Sequence, residues 1–253
     1  MKITFLGTSA GIPDPDRHCS STMIEVGERV YIVDAGAPMV DCLRTQGLLM
    51  ERENAERIAA VFATHSHSDH TVGMLHLLDA CTWYFRTASF EVILPEKELG
   101  EKFAGCIEIM EKLPFPSDRL HLKEASAGVV YDDGVLRATY IPTRHCEPHP
   151  SYSILIEAEG KKVLFSGDLS QRLNKTDVPA LLSDAELDLF VCELAHFTPE
   201  ELSPYLDTCR ARAVYFNHVN PLDKIERVRA ITAEKGYSFS VHKALDGGIV
   251  ELN

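Results

Sequence analysis

Short apolar runs rich in β-branched and aromatic residues, bounded by polar or glycine positions, recur near Lys2 to Leu6, Thr22 to Val26, Val30 to Val33 and Ile58 to Ala63, and predict strands. Between the last two, Val40, Leu43 and Leu48 fall at roughly helical spacing, so Pro38 to Met50 reads as a helix whose end Gly47 weakens. Val72, Leu75, Leu77 and Leu78 put overlapping apolar faces on a helix from His70 to Arg86. Glu96 to Lys112 carries the charge mix of a surface helix, with a strand at Phe90 to Leu94 before it.

The second half repeats the pattern. Strands are predicted near Leu120 to Lys123, Leu136 to Ile141, Ser151 to Ile156, Lys162 to Phe165, Leu187 to Val191 and Ala213 to Phe216. Helices at Pro199 to Cys209 and Asp223 to Lys235 flank the last of these, and strands at Tyr237 to Val241 and Gly248 to Leu252 follow. Two strand-rich halves in a mixed α/β order suggest two sheets packed together and flanked by helices. No short repeat period and no low-complexity linker divides the 253 residues, which are read as one domain.

Hydrophobic residues make up 45 % and charged residues 25 %, as in an ordinary globular protein with a packed core. The formal net charge of -13 disfavours a long nucleic acid held by phosphate contacts, because those need clustered Lys and Arg; a small anion is not excluded. The seven cysteines are odd in number, scattered and without a C-x-x-C pair, which argues against a disulfide framework or a cysteine-built zinc knuckle. No signal peptide and no membrane span is apparent, so a cytoplasmic location without membrane association is expected.

The chemistry concentrates in Thr64-His65-Ser66-His67-Ser68-Asp69-His70, directly after an apolar strand and before a helix. Such a turn can aim His65 and His67 at one cation and Asp69 and His70 at another; neutral imidazole and carboxylate suit Zn, Mn or Fe. The plain alternative is a polar loop in which Asp69 or Ser68 caps the helix. His145, Asp168 and His218 are further ligand types near strand ends, where open α/β folds place their sites. Singly, each also reads as a strand-end or turn residue.

Phe5-Leu6-Gly7-Thr8-Ser9-Ala10-Gly11-Ile12-Pro13, Cys19-Ser20-Ser21-Thr22, Val33-Asp34-Ala35-Gly36 and the H-x-H-x-D-H segment together resemble the metallo-β-lactamase superfamily, in the branch containing ribonuclease Z and related phosphodiesterases. The resemblance implies a four-layer αββα sandwich with two divalent metal ions, zinc first and Mn or Fe as alternatives. It implies that His65, His67 and His145 hold one ion, that Asp69, His70 and His218 hold the other, and that Asp168 bridges them. True β-lactamases of the superfamily usually lack a histidine directly after the motif aspartate, so His70 points away from antibiotic hydrolysis.

Ribonuclease Z inserts a long transfer-RNA-gripping arm between its third histidine and the bridging aspartate. Here only Cys146 to Gly167 intervenes, enough for two strands and a turn. The His-Glu-Ala-Thr element of that family is also altered, to Val191-Cys192-Glu193-Leu194-Ala195-His196-Phe197. The expectation is therefore a dinuclear phosphodiesterase for a small anionic, nucleotide-like diester, using water acidified between two cations. Asp69 would orient or deprotonate that water, and His196 would protonate the leaving oxygen unless it caps the helix beginning near Pro199.

Carboxylic-ester or lactone hydrolysis, transfer-RNA 3′ processing, iron-dependent sulfur dioxygenation and non-catalytic binding are the alternatives. His18, His149 and Arg144 read as solvated loop residues, His76, His121 and His242 as structural, and Cys146 as a small buried side chain. The sequence leaves the oligomeric state open, with a homodimer as one option.

Overall fold

The computed structural model describes residues 1–171, 177 and 181–253, with backbone alone at 52 and 53. Strands β1 (Lys2–Gly7), β2 (Ser21–Val26) and β3 (Arg29–Ala35) form an antiparallel meander. Helix α1 (Met39–Thr45) then leads to β4 (Ile58–Phe62), α2 (Ser68–Trp83), β5 (Phe90–Leu94), α3 (Lys97–Glu111) and β6 (Leu120–Glu124), and β3 to β6 run parallel.

A second meander, β7 (Gly128–Asp132), β8 (Arg137–Pro142), β9 (Tyr152–Ala158) and β10 (Lys161–Phe165), is followed by α4 (Leu181–Asp184) and β11 (Leu187–Leu194). Then come α5 (Pro199–Leu206), β12 (Ala211–Val219), α6 (Lys224–Lys235), β13 (Ser240–Lys243) and β14 (Ile249–Glu251), with β10 to β13 parallel. The result is two seven-stranded sheets, β14-β1-β2-β3-β4-β5-β6 and β13-β12-β11-β10-β9-β8-β7.

The layering follows from alternation along strands that are buried on both faces. On β3, Val30 and Ile32 join the core beneath α1 to α3, while Tyr31 and Val33 join the layer between the sheets. On β11, Leu189 and Val191 face the other sheet, whereas Phe190, Cys192 and Leu194 pack beneath the second group of helices. Three buried layers of side chains thus separate four layers of structure, and the expected αββα sandwich is the one observed.

Several boundaries differ from the sequence reading. Helix α1 stops at Thr45 because Gly47 and Leu49 adopt left-handed backbone, with φ of 81° and 57°. Helix α2 begins at Ser68, so Asp69 and His70 belong to its first turn, and Val72 is exposed on its outer face. The edge strand β7 was not anticipated; its Val129 is exposed and its Gly128 and Asp132 resemble turn residues. The last parallel strand begins at Ser240, since Tyr237 and Phe239 stack on each other before it.

The sheets are also fastened to each other at the start of β3. Asp133, in the turn between β7 and β8, accepts from the Tyr31 and Tyr131 hydroxyls at 2.7 and 3.0 Å, pairs with Arg29, and accepts the amides of Val135 and Leu136 at 2.9 and 2.8 Å. Burial alone would raise this carboxyl, but those donors outweigh it and hold Asp133 well below the ordinary carboxylate range. Among the described residues, no helix is long and apolar enough to cross a membrane.

Candidate metal centre

At the other end of β3 the carboxyl ends of parallel strands from both sheets meet. The loop after β4 carries His65 and His67, the first turn of α2 carries Asp69 and His70, and the turn after β8 carries His145. Asp168 follows β10, and His218 lies within the last residues of β12 rather than beyond it. Two glycines allow α2 to approach: a Cβ on Gly73 would stand 2.4 Å from the Gly36 carbonyl oxygen, and one on Gly36 only 2.3 Å from the Asp69 carbonyl oxygen.

The donors form two groups around one carboxylate. His67 Nδ1 lies 3.1 Å from His65 Nε2 and 3.2 Å from His145 Nε2, and Asp168 Oδ2 lies 3.7 and 3.6 Å from those two Nε2 atoms. On the other side, Asp168 Oδ1 lies 3.4 Å from His70 Nε2 and 3.5 Å from His218 Nδ1. Asp69 Oδ2 lies 3.5 Å from His70 Nε2 and 3.1 Å from His218 Nε2. All seven residues expected from the sequence are therefore brought together, with Asp168 between the two groups.

The electrostatics call for positive charge there. Burial would raise Asp168, but His218, His70 and His65 hold it well below the usual range, and His218 and His70 do the same for Asp69. Burial would lower His70, but Asp168 and Asp34 pull it well above an ordinary histidine. His65 goes the other way, lowered by burial and then by its histidine neighbours. Three buried atoms that converge, His70 Nε2, Asp168 Oδ1 and His218 Nδ1, have no hydrogen-bond partner. Divalent cations fit this donor set, because they satisfy those atoms and supply the charge.

Three of the imidazoles also have their outer nitrogen fixed. His145 Nδ1 donates to the Leu169 carbonyl at 2.8 Å and His70 Nδ1 to Asp34 Oδ2 at 2.8 Å. His65 Nδ1 lies 3.0 Å from Thr64 Oγ1, which in turn donates to Asp34. These contacts turn three Nε2 lone pairs inward. Asp34, quoted above only as part of a motif, was missed as a site residue. It ends an apolar strand as the other candidates do, so the same signal was present. Asp34 and His218 adopt left-handed φ of 58° and 50°, a conformation costing roughly 1–2 kcal/mol per residue and held here by the surrounding contacts.

His196 stands beside the centre. Its Nδ1 donates to Glu193 Oε1 at 2.9 Å, its Nε2 lies 3.8 Å from Asp168 Oδ2, and its ring contacts His145. Burial would lower it, but Glu193 and Asp168 raise it. The capping alternative fails for His196, since Thr198 and Glu201 form the capping box of α5. It fails also for Ser68 and Asp69, since His67 is the N-cap of α2 and makes no side-chain cap bond. Glu193 accepts the amides of Leu169, Ala195 and His196, tying the two strand ends together. Cys192 is buried beneath the helices and donates to the Glu193 carbonyl, away from the donors.

Other expectations resolve individually. Cys146 is half-buried rather than buried, with Sγ 3.8 Å from His67 Nε2 and its thiol pushed up to about 11 by burial. Arg144 and His149 are exposed, His149 being held by Glu96 at 2.9 Å, while His18 lies against Asp246 and Cys42. His76 and His121 are exposed on their elements, and His242 stacks on Tyr215. The interval from Cys146 to Gly167 holds β9, a two-residue turn and β10, with no room for an arm.

Residues 1–232 match the family described as anti-Pycsar protein Apyc1. The chain belongs to this family. The Apyc1-family chain is also 28 % identical over 182 residues to ribonuclease Z of Mycobacterium bovis (strain BCG / Pasteur 1173P2), covering 66 % of this chain and 62 % of that protein. It thus spans less than two thirds of the relative's length. In fold it is similar to YhfI of Bacillus subtilis, a metallo-β-lactamase fold protein, with a TM-score of 0.75, 19 % identity and 99 % of each chain covered. It is similar also to the short form of human tRNase Z, with a TM-score of 0.72, 19 % identity and 100 % of each chain covered.

Proposed function

We infer that this chain is a metal-dependent hydrolase, and specifically a phosphodiesterase acting on a small nucleotide-like diester. The observation that carries the reading is the Asp168 carboxylate, which turns one oxygen toward each donor group. Two divalent cations, zinc foremost, would be held by His65, His67 and His145 and by Asp69, His70 and His218, with Asp168 shared; they would acidify water and stabilise charge developing on the phosphoryl oxygens.

The protein's own groups divide the remaining work. Asp69, partly committed to His218, orients or deprotonates the attacking water. His196, oriented by Glu193, presents Nε2 to the centre and gives a proton to the leaving oxygen. The short β9–β10 connection and the net charge of -13 favour a small substrate over transfer RNA. Seven free cysteines fit a reducing, cytoplasmic compartment.

A second reading, transfer-RNA 3′ processing, is favoured by the similarity to ribonuclease Z. One panel separates the two. Zinc- or manganese-loaded protein is assayed on bis-p-nitrophenyl phosphate, on a precursor transfer RNA and on a lactone, alongside Asp168→Ala and His67→Ala. Turnover of the diester that falls at least about a hundredfold in both variants is expected. Full activity in either variant refutes the ligand assignment; preferential cleavage of the RNA or the lactone reassigns the substrate.

A further inference from the structure

The segment between β1 and β2 runs along the Asp69 side of the centre and contributes none of its donors. A Cβ placed on Gly11 would stand 3.7 Å from Asp69 Oδ2, so the backbone at this position lines the mouth. The next side chain, Ile12, is 92 % exposed, and Pro13 beside it is exposed too. Among the large hydrophobic residues described as exposed, Ile12 is the most exposed, and it directly follows the glycine that lies beside Asp69.

The base of the loop that carries it is firmly held. Arg17, itself buried, donates from Nη1 to the Thr8 carbonyl at 3.0 Å, from Nη2 to the Val219 carbonyl at 3.1 Å, and from Nε to Asp14 Oδ2 at 2.9 Å. Asp14 N donates to Ser9 Oγ at 3.1 Å, and Ser9 N to the His18 carbonyl at 2.8 Å. Val219 follows His218 directly, so the guanidinium joins the loop to the strand end that supplies a donor. An apolar side chain carried in water on a braced loop beside the candidate centre is placed to meet an apolar partner. On the His67 and His145 side the rim is polar, with Arg144 and His149 exposed.

We propose that Gly11, Ile12 and Pro13 form the apolar wall of the substrate pocket, with Ile12 packing on the flat face of the nucleobase and Gly11 leaving space above Asp69 for the diester. This rests on the phosphodiesterase reading and adds to it the side on which the base lies. Ile12 is then a specificity determinant that leaves the bond-breaking groups alone.

Two chromogenic diesters with the same leaving group test this on zinc-loaded protein: thymidine 5′-p-nitrophenyl phosphate, which retains a base, and methyl p-nitrophenyl phosphate, which does not. Ile12→Ser is expected to lower kcat/KM for the nucleoside ester about five- to tenfold, chiefly through KM, and to leave the methyl ester within about twofold. Gly11→Ala, whose methyl meets Asp69 only at ordinary contact distance, is expected to slow both esters. An equal loss on both esters in Ile12→Ser, no loss on either, or an unaffected Gly11→Ala overturns the wall. Wild-type protein that cleaves neither ester but opens a lactone overturns the underlying reading instead.

Discussion

Asp34 holds His70 Nδ1 at 2.8 Å and reaches His65 through the Thr64 hydroxyl, so one carboxylate orients an imidazole in each donor group. Replacing it by alanine removes no ligand yet frees two rings. Asp34→Ala is expected to weaken zinc affinity about tenfold to a hundredfold, measured by competition against a chelating dye; wild-type affinity would show that packing alone sets the rings. Histidines were legible because imidazole after an apolar strand is chemically unusual. Asp34 was not, because an aspartate followed by alanine and glycine also reads as an ordinary turn. His196 was recognised without its orientation, which depends on how Glu193 folds back onto the amides after β11.

Elements were read best where their pattern had a single cause. Strands such as β3 and β11 announce themselves as apolar runs because both faces are covered, whereas β7 lies at a sheet edge and has only Val130 and Tyr131 partly buried. Tyr237 and Phe239 resemble strand residues, yet the Tyr237 hydroxyl donates to the Ser203 carbonyl of α5. The entry of α2 depends on Gly73. A glycine-to-alanine change inside a helix ordinarily gains up to about 1 kcal/mol, but here the new methyl would meet the Gly36 carbonyl oxygen at 2.4 Å. Gly73→Ala is therefore expected to destabilise by about 1–3 kcal/mol in urea unfolding and to lower activity through Asp69 and His70. A stabilised variant would mean that the helix shifts freely.

For the molecule as a whole, the two-sheet organisation was visible in the sequence as two strand-rich halves, while the contacts that join the sheets were not, since they pair residues about a hundred positions apart. Asp133→Ala is expected to cost about 2–4 kcal/mol at neutral pH, because it strips a charged acceptor from several donors. Its carboxyl is held below the ordinary value, so its contribution is complete above about pH 4 and is lost as pH falls toward the lower folded-state value. The stability gap between wild type and variant should thus narrow on acidification, as urea titrations across pH would show; a constant gap would assign the loss to packing.

The Asp133 contacts and the candidate metal centre lie at opposite ends of β3 and span the same pair of sheets. The sandwich therefore resembles two leaves stitched along both margins, at one by Asp133 and at the other by Arg17 on the Thr8 and Val219 carbonyls, the Tyr152 amide on the Thr64 carbonyl and the Tyr140 hydroxyl on the Ala63 carbonyl. These stitches hold without any ion, so the chain is expected to give up and reload its cations with the sheets still joined at the site, sparing it from unfolding.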